Sequence, residues 1–520
     1  MANDLAKLQR STRDVAKWQK AQQLVVKGNH HQALPAYRDL VQRFPNVAQL
    51  WFEQGMAATG DLEFGLALTA FTKAQELAFD DSSFQVLLGQ QFHRLRRQVQ
   101  ARACFEQAVR SDPSSVHARL SLAAWYERER RLDAATDAVE ACLAKHPGHP
   151  QALCVKALLL HRSHRDTEAE TLLMDLIRTD CADPNVKVSS RHLLGTVVDQ
   201  LGRHSEAIKW LVESKNILRQ SANVDKMGRD YDQADRERRA LLAGLTPEII
   251  RKWQTPQNRP GPCKGLVFLG GHPRSGTTLL EQILDAHPEI HAFDESEAFV
   301  QEIWQKLAPL PPGRAFSLQQ VDNLGELERA GMRERYFKSL FRELDEEPAG
   351  LILVDKNPSP TTALHLWLRI FPGLKVLTAL RDPRDVIISC FFQNLMLTPA
   401  NANFLSLERT AKHYSDLMEV WLRMRELGGF DWLESRYEDL VANPEGEGRR
   451  ITEFCGLPWH EQQANHHEVA RNKLLFAPTF SDVAQPVHKR AVGRWHKYAE
   501  ALQPIQERVR PYCLAFGYEV

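Results

Sequence analysis

The first 220 residues contain a sequence pattern with a period of 34 residues, and this pattern limits the folds that they can adopt. A small residue recurs at this spacing, and a larger apolar residue follows it four positions later. Positions i, i+4 and i+7 share one face of a helix, so the pattern predicts helices that approach their neighbours closely at the small residue. The small residues are Ala33, Ala67, Ala101, Ala135 and Ala169, and the larger ones are Tyr37, Phe71, Phe105, Val139 and Leu173.

Proline follows the second helix of several units, at Pro45, Pro113 and Pro147, where it interrupts no helical hydrogen bond. A sixth unit begins with Ala207, which lies four residues later than the 34-residue period predicts, and this offset arises near the stretch CADPN. A helix-turn-helix unit of this length resembles the tetratricopeptide (TPR) repeat, which implies an α-helical solenoid over residues 12–220. Five alanines in register argue against a non-repetitive helical bundle. Such repeats leave a concave surface suited to an extended peptide or another domain.

Composition excludes several classes of function. A chain of 520 residues predicts two or more domains, and equal numbers of basic and acidic residues, 66 each, give no electrostatic reason for nucleic-acid or membrane partners. Eight scattered cysteines without a C-x-x-C pair fit a reducing compartment. The first twenty residues contain charged side chains at the positions where a secretory signal would have an apolar stretch. We therefore expect a soluble, cytoplasmic protein.

A charged helical stretch and a Pro-rich segment at residues 221–261 predict a helical linker, which places a second domain at 262–520. That domain opens with an apolar run, Leu266–Leu269, then GGHPRSGTT, then a segment of helical periodicity. A strand, glycine loop and helix in this order present backbone N–H groups to an anion. From Gly271 the loop matches a Walker A sequence except that Thr277 replaces the lysine, which disfavours an ATP-dependent kinase.

The sequence PRSGTT followed by LDAHP resembles the sulfotransferases that use 3′-phosphoadenosine-5′-phosphosulfate (PAPS). The resemblance implies a three-layer α/β, P-loop-like domain with a parallel sheet, whose loop holds the 5′-phosphosulfate. The loop residues that would contact it are Arg274, Ser275, Gly276, Thr277 and Thr278.

Two later segments extend this resemblance. In LKVLTALRDPRDVIIS, Arg381 and Ser389 match the pair that binds the 3′-phosphate in the family. Tyr437 in RYEDLV and Arg494 before a tryptophan match segments that close over the adenosine. The alternative for residues 381–385 is a solvated cluster of paired charges.

The catalytic residues follow from similarity to the protein-tyrosine sulfotransferases, whose catalytic glutamate lies 21 residues beyond the loop arginine. Counting from Arg274 gives Glu295 as general base, with Asp294 and Glu297 as alternatives. Those enzymes follow the glutamate with Thr-Arg, whereas Ser296 and Glu297 stand here. A preference for acidic tyrosine motifs is therefore not expected.

Lys356 follows the apolar run LILVD and should lie at the carboxyl end of a parallel strand, where open α/β sheets bind ligands. In the family a lysine here stabilises charge at the bridging oxygen; a salt bridge with Asp355 is the competing interpretation. The family serine that assists at the same oxygen corresponds to Thr479 or Ser481.

The sequence therefore predicts PAPS-dependent transfer of a sulfuryl group to an acceptor hydroxyl, without a metal ion. It leaves the acceptor open among a tyrosyl peptide, a glycan, a lipid and a small alcohol or phenol. The repeat arm is expected to capture a protein or peptide acceptor or to organise a homodimer. The alternative function is a TPR scaffold whose sulfotransferase-like domain is inactive.

Overall fold

The computed structural model describes residues 2–61, 63–95, 97–221, 223–255, 262–307, 315–341, 348–471 and 487–520. The chain forms two compact units, residues 1–201 and residues 202–520. The predicted domain boundaries at 220 and 262 stay predictions. Among the described helices, none combines the length and apolarity needed to cross a bilayer.

The first unit consists of twelve described helices joined by short turns. Side-chain caps at Ser11, Asp81 and Ser115 accept backbone N–H groups at the starts of three of them. The helices are α1 Ala2–Arg10, α2 Thr12–Val26, α3 His30–Arg43, α4 Ala48–Gly60, α5 Phe64–Leu77, α6 Ser82–Arg94, α7 Gln98–Ser111, α8 Val116–Arg128, α9 Leu132–Leu143, α10 Pro150–Arg162, α11 Asp166–Arg178 and α12 Pro184–Gln200.

The periodic alanines lie on the second helix of each pair and are fully buried, as the period predicts. The first helix of two pairs carries a glycine opposite the larger apolar residue. A Cβ added to Gly55 would lie 2.5 Å from the Phe71 ring, and one added to Gly89 would lie 2.8 Å from the Phe105 ring. The pairs can therefore close only because these positions lack a side chain.

The four-residue offset in the repeat lies within α12 rather than in the connection before it. Helices α4, α6, α8 and α10 each have 13 residues, whereas α12 has 17. Four residues are about one helical turn, so the extra turn keeps the buried face of the helix in register.

The second unit combines helices with a five-stranded sheet. Its first helices are α13 His204–Ser221, α14 Val224–Gly244 and α15 Pro247–Trp253. The strands are β1 Gly265–Gly271, β2 Ile290–Asp294, β3 Ile352–Lys356, β4 Lys375–Leu380 and β5 Trp432–Arg436. The helices between and after the strands are α16 Thr277–Asp285, α17 Gln305–Leu307, α18 Leu318–Asp322, α19 Glu326–Phe341, α20 Leu364–Ile370, α21 Pro383–Phe391, α22 Leu407–Leu427, α23 Tyr437–Ala442, α24 Pro444–Cys455, α25 His466–Arg471, α26 Ala499–Leu502 and α27 Gln506–Ala515.

Short helices of other types complete this unit. One π-helix spans Val300–Trp304. The 3-10 helices are Pro348–Gly350, Ser359–Ala363, Asn401–Leu405, Glu461–Asn465, Arg494–Tyr498 and Gln503–Ile505.

All neighbouring strands of the sheet are parallel, in the order β2-β3-β1-β4-β5. Alternate residues of β1 face opposite layers. Val267 and Leu269 pack with α16 residues such as Leu280 on one face, and Phe268 packs on Trp367 of α20, with ring centroids 4.9 Å apart, on the other. The predicted order of helical repeats followed by an α/β domain with a parallel sheet is confirmed.

The segment predicted as a linker contributes helix α14 to the second unit, where ion pairs join it to α22. Asp232 accepts from Arg409 at 3.0 Å, and Arg239 donates to Asp416 at 2.8 Å. Asp416 is buried and also pairs with Lys412 at 2.5 Å, so its charge depends on Arg239 and Lys412. Helix α14 is thus a packed element of the unit.

Candidate active site

The carboxyl ends of the five parallel strands meet at one edge of the sheet, and a cavity of about 390 Å³ opens there. Loops after β1, β2, β4 and β5 bring distant parts of the chain to this edge. Nine residues named from the sequence line the cavity: Arg274, Gly276, Thr277, Thr278, Glu295, Arg381, Ser389, Tyr437 and Arg494.

Two glycines shape the loop between β1 and α16. Gly271 has φ +117°, and a Cβ there would lie 2.4 Å from the carbonyl oxygen of Ala379 in β4. Gly276 has φ +92°, and a Cβ there would lie 2.7 Å from the Tyr437 ring. Both positions exclude a side chain by conformation and by contact. The loop therefore leads tightly into α16, whose N-terminal N–H groups favour an anion.

Arg274 connects this loop to the segment after β4. Its Nε donates to the Ser389 hydroxyl at 3.0 Å, and its carbonyl oxygen accepts from Arg381 Nη1 at 3.2 Å. Arg274 also has φ +74°, a left-handed conformation that costs a non-glycine residue about 1–3 kcal/mol. The contacts with Ser389 and Arg381 hold it in this conformation.

Arg381 is buried, as are the other charged residues of the stretch 381–385, so the alternative of a solvated charge cluster is wrong. Its guanidinium lies 4.9 Å from the Tyr437 ring centroid and donates to the carbonyl of Ala491. Its Nε is buried and has no hydrogen-bond partner among the described residues. A buried donor of this kind at a cavity wall fits an anionic group such as a phosphate.

Asp385 positions the segment that carries Arg494, a role that the sequence reasoning missed. Its carboxylate accepts the backbone N–H groups of Gly493 at 2.8 Å and Trp495 at 2.7 Å. Burial raises the pKa of Asp385 above its usual value. The guanidinium of Arg494 then lies 4.4 Å from the Phe392 ring centroid. No spacing in the sequence indicated these contacts, because they join residues about a hundred positions apart.

Glu295 is the member of the acidic trio that lines the cavity. Its side chain is 57% exposed, and its φ of +52° is again left-handed. Asp294 is instead ion-paired with Lys356. Burial, with a contribution from the charge of Glu295, raises the pKa of Glu297. The geometry therefore favours Glu295 as the carboxylate available to a substrate.

Lys356 is the last residue of β3, as the sequence predicted, but it is fully buried and does not line the cavity. Burial alone would lower its pKa, yet the neighbouring carboxylates outweigh burial and raise it. The competing partner Asp355 accepts a hydrogen bond from Tyr336 at 2.8 Å. The carboxylates around the Lys356 ammonium are Glu281 at 3.3 Å, Asp294, and Glu295 at 3.5 Å.

Other named residues lie elsewhere. Ser275 is buried and is not part of the cavity lining. Thr479 and Ser481 lie outside the described residues. The other residues that line the cavity are Pro273, Leu279, Pro358, Ser359, Gln393, Leu395, Asn401, Phe404, Val487, His488 and Ala491.

Comparison with known proteins identifies the region that forms this site. Residues 267–461 match the sulfotransferase family profile, and residues 19–82 and 86–150 match the tetratricopeptide repeat. The resemblances of both parts of the chain are thereby confirmed.

Relatives with named functions support a sulfotransferase enzyme. The chain is 26% identical over 272 residues to protein-tyrosine sulfotransferase A of Caenorhabditis elegans, covering 50% of this chain and 68% of that protein. It is 25% identical over 351 residues to an uncharacterised protein of Aquifex aeolicus, covering 65% of this chain and 43% of that protein. The chain thus spans less than half the length of the Aquifex relative.

One solved structure similar to the sulfotransferase domain is the sulfotransferase domain from the Synechococcus PCC 7002 olefin synthase. It shares 20% sequence identity, covers 51% of this chain and 98% of that chain, and has a TM-score of 0.33.

Proposed function

We propose that the second unit transfers a sulfuryl group from PAPS to an acceptor hydroxyl, with Glu295 as general base. The observation that carries this proposal is the meeting of Arg274, Arg381, Ser389 and Glu295 at one cavity. Three of these residues offer donors to an anion, and the fourth offers an exposed carboxylate. In-line group transfer needs this combination of charge stabilisation and a base.

The nucleotide is proposed to lie toward the β4 and β5 side of the cavity. Arg381 and Ser389 would bind its 3′-phosphate, and Tyr437 and Arg494 would flank the adenosine. The loop residues Arg274 to Thr278 would bind the 5′-phosphosulfate at the N-terminus of α16. The unpartnered, buried Nε of Arg381 supports this orientation, because a phosphate oxygen would satisfy it.

The acceptor is proposed to lie toward the β2 and β3 side, next to Glu295. The Glu295 carboxylate would take the proton of the acceptor hydroxyl while the hydroxyl oxygen attacks sulfur. The bond from sulfur to the bridging oxygen breaks, and the product nucleotide, 3′-phosphoadenosine-5′-phosphate, leaves with that oxygen. Lys356 would keep Glu295 oriented, since its ammonium lies 3.5 Å from that carboxylate. Direct action of Lys356, Thr479 or Ser481 on the bridging oxygen stays a prediction.

A tyrosyl side chain of a protein or peptide is the acceptor we propose, with the TPR arm contributing to its capture. Support comes from relatives named as protein-tyrosine sulfotransferases and from the peptide-binding use of TPR surfaces. The exposed carboxylate of Glu295 at this side would repel an acidic peptide, so neutral or basic flanking residues are expected around the tyrosine.

The proposal is tested by calorimetric titration with 3′-phosphoadenosine-5′-phosphate, beside ATP with Mg²⁺. The wild type should bind the first ligand and not the second. Arg381→Ala should weaken binding by about 10- to 100-fold, because a charge-assisted hydrogen bond is worth about 1.5–3 kcal/mol.

Arg449→Ala is the matched control, since Arg449 is exposed on α24 and pairs with Glu445 outside the cavity. It removes the same charge and should leave the affinity unchanged. Absence of nucleotide binding by the wild type would favour the inactive-scaffold alternative. Binding of ATP alone would indicate a kinase.

A further inference from the structure

A pair of buried histidines lies behind the donor loop. His272 occupies the position after Gly271 and is fully buried, and His413 lies on α22, 141 residues away. The two rings meet edge to face, and His272 Nε2 lies 2.9 Å from His413 Nδ1. The rings of Phe404 and Tyr414 pack against His272, with centroids 6.3 and 5.1 Å away.

The hydrogen bonds fix which nitrogen of each ring carries a proton. His272 Nδ1 lies 2.8 Å from the carbonyl oxygen of Pro273, and a carbonyl only accepts, so Nδ1 donates. In a neutral ring Nε2 is then an acceptor, and the proton between the rings belongs to Nδ1 of His413. Burial lowers the pKa of His272 to about 4, and burial also lowers the pKa of His413, so both rings are neutral at physiological pH.

These bonds act on the peptide that precedes Arg274. The Pro273 carbonyl accepts a hydrogen bond from His272 and lies 3.7 Å from the Cys390 thiol. Both partners are buried, so this carbonyl points away from the cavity and into the core. The next carbonyl, that of Arg274, is held by Arg381. Two successive carbonyls are thus fixed on either side of the left-handed Arg274.

We propose that His272, with its tautomer set by His413, is a positioning residue of the donor site. By holding the Pro273 carbonyl it keeps Arg274 in the conformation that places its guanidinium on Ser389 at the cavity. The inference rests on the proposed function, because it assigns these loop residues to the nucleotide donor. Strained backbone persists only where its surroundings over-determine it, and the histidine pair supplies one of the required constraints.

The test compares four variants by calorimetric titration with 3′-phosphoadenosine-5′-phosphate. His272→Leu removes the donor to Pro273 and should weaken binding about tenfold, equivalent to about 1.4 kcal/mol. His272→Asn should bind within about threefold of the wild type, because its amide nitrogen can replace Nδ1 as donor. His413→Leu should weaken binding in the same direction as His272→Leu, since His272 Nε2 then loses the donor that favours the tautomer with its proton on Nδ1.

His365→Leu is the matched control. His365 is a buried histidine of α20 that does not line the cavity, and burial lowers its pKa to about 3. Its loss should change the thermal unfolding temperature but not the nucleotide affinity. A purely structural role for His272 would give the same pattern as this control.

The inference is overturned if His272→Leu binds like the wild type or if His272→Asn is as weak as His272→Leu. If His272→Leu does not fold, the asparagine and His413 variants still decide the question, because an unchanged affinity in His413→Leu contradicts the role assigned to His413. Failure of the wild type itself to bind the nucleotide overturns the proposed function and, with it, this inference.

Discussion

The contacts that build the two compact units join residues at different separations along the chain. In the repeat unit, Gly55 meets the Phe71 ring only sixteen residues later, and the same arrangement recurs one period on at Gly89 and Phe105. In the second unit, Arg274 and Ser389 are 115 residues apart when they bond. A repeat can therefore be recognised from spacing alone, whereas a site assembled by sheet topology can be recognised only in the complete fold.

Backbone strain is distributed differently as well. The non-glycine residues with positive φ in the described repeat unit lie at turns after helices, and Arg130 and His164 are one period apart. In the described part of the second unit, the non-glycine residues with positive φ are Arg274 and Glu295. In the repeat unit the left-handed residues let the chain turn between helices. In the second unit they are two residues of the proposed active site.

The largest effect is expected at the site built by long-range contacts. Glu295→Gln should bind 3′-phosphoadenosine-5′-phosphate normally but lose turnover by about a hundredfold or more, because a neutral amide cannot accept the acceptor proton. The measurement is sulfuryl transfer from PAPS to a tyrosyl peptide with neutral flanking residues, alongside calorimetry. Glu297→Gln is the control and should retain turnover. The reverse result would assign the base to Glu297.

An intermediate effect is expected from the local packing of the repeat. Gly55→Ala places a methyl group 2.5 Å from the Phe71 ring and should lower the free energy of unfolding by about 1–2 kcal/mol, although the higher helix propensity of alanine offsets part of the loss. Denaturant unfolding measures it. Gly65→Ala is the control, because Gly65 is an exposed helical glycine with open space around it and should be neutral or stabilising.

The glycine-aromatic pair also allows a test of coupling. Three periods later Ala157 and Leu173 occupy the positions of Gly55 and Phe71. Gly55→Ala combined with Phe71→Leu should therefore cost less than the two single changes added together. Simple additivity would show that the glycine is not required by the ring opposite it.

The smallest effect concerns Lys215 of α13, a buried lysine that bonds to the carbonyl of Gln393, 178 residues away, at 3.2 Å. Burial lowers the pKa of Lys215 from 10.5 to about 8. The native state therefore loses this proton at about pH 8 and the unfolded chain only at about 10.5, so wild-type stability should rise between these values. Below pH 8 the cost of burying the charge is constant.

Lys215→Met should accordingly raise the free energy of unfolding by about 1 kcal/mol at pH 7, since the lost hydrogen bond offsets part of the relieved burial cost. The gain should shrink as the pH approaches 10.5. Thermal unfolding at several pH values measures it, with Lys226→Met, at an exposed lysine, as the control. A gain that does not change with pH would contradict the assignment.

The positions of residues that directly follow a strand could be predicted from the sequence. Arg381 and Lys356 were placed at strand ends because a buried strand is visible as an apolar run, and Arg274 because the glycine loop is a local pattern. The sequence did not indicate Asp385 or His272, whose roles depend on partners more than a hundred residues away. The resemblance implied a role for Lys356 at the bridging oxygen, which stays a prediction, and no pattern in the sequence indicated the three carboxylates around its ammonium.

Local sequence was sufficient to predict the helical repeat, the phosphate-type loop and the order of helical and α/β parts, because each depends on contacts within about one period or one turn. The complete fold was needed to show which carboxylate of the acidic trio faces the cavity and which contacts hold Arg274. Those outcomes depend on the strand order, which brings the ends of β1, β2 and β4 together, and on burial, which makes each unpaired polar atom costly. Neither strand order nor burial is a property of any local stretch of residues.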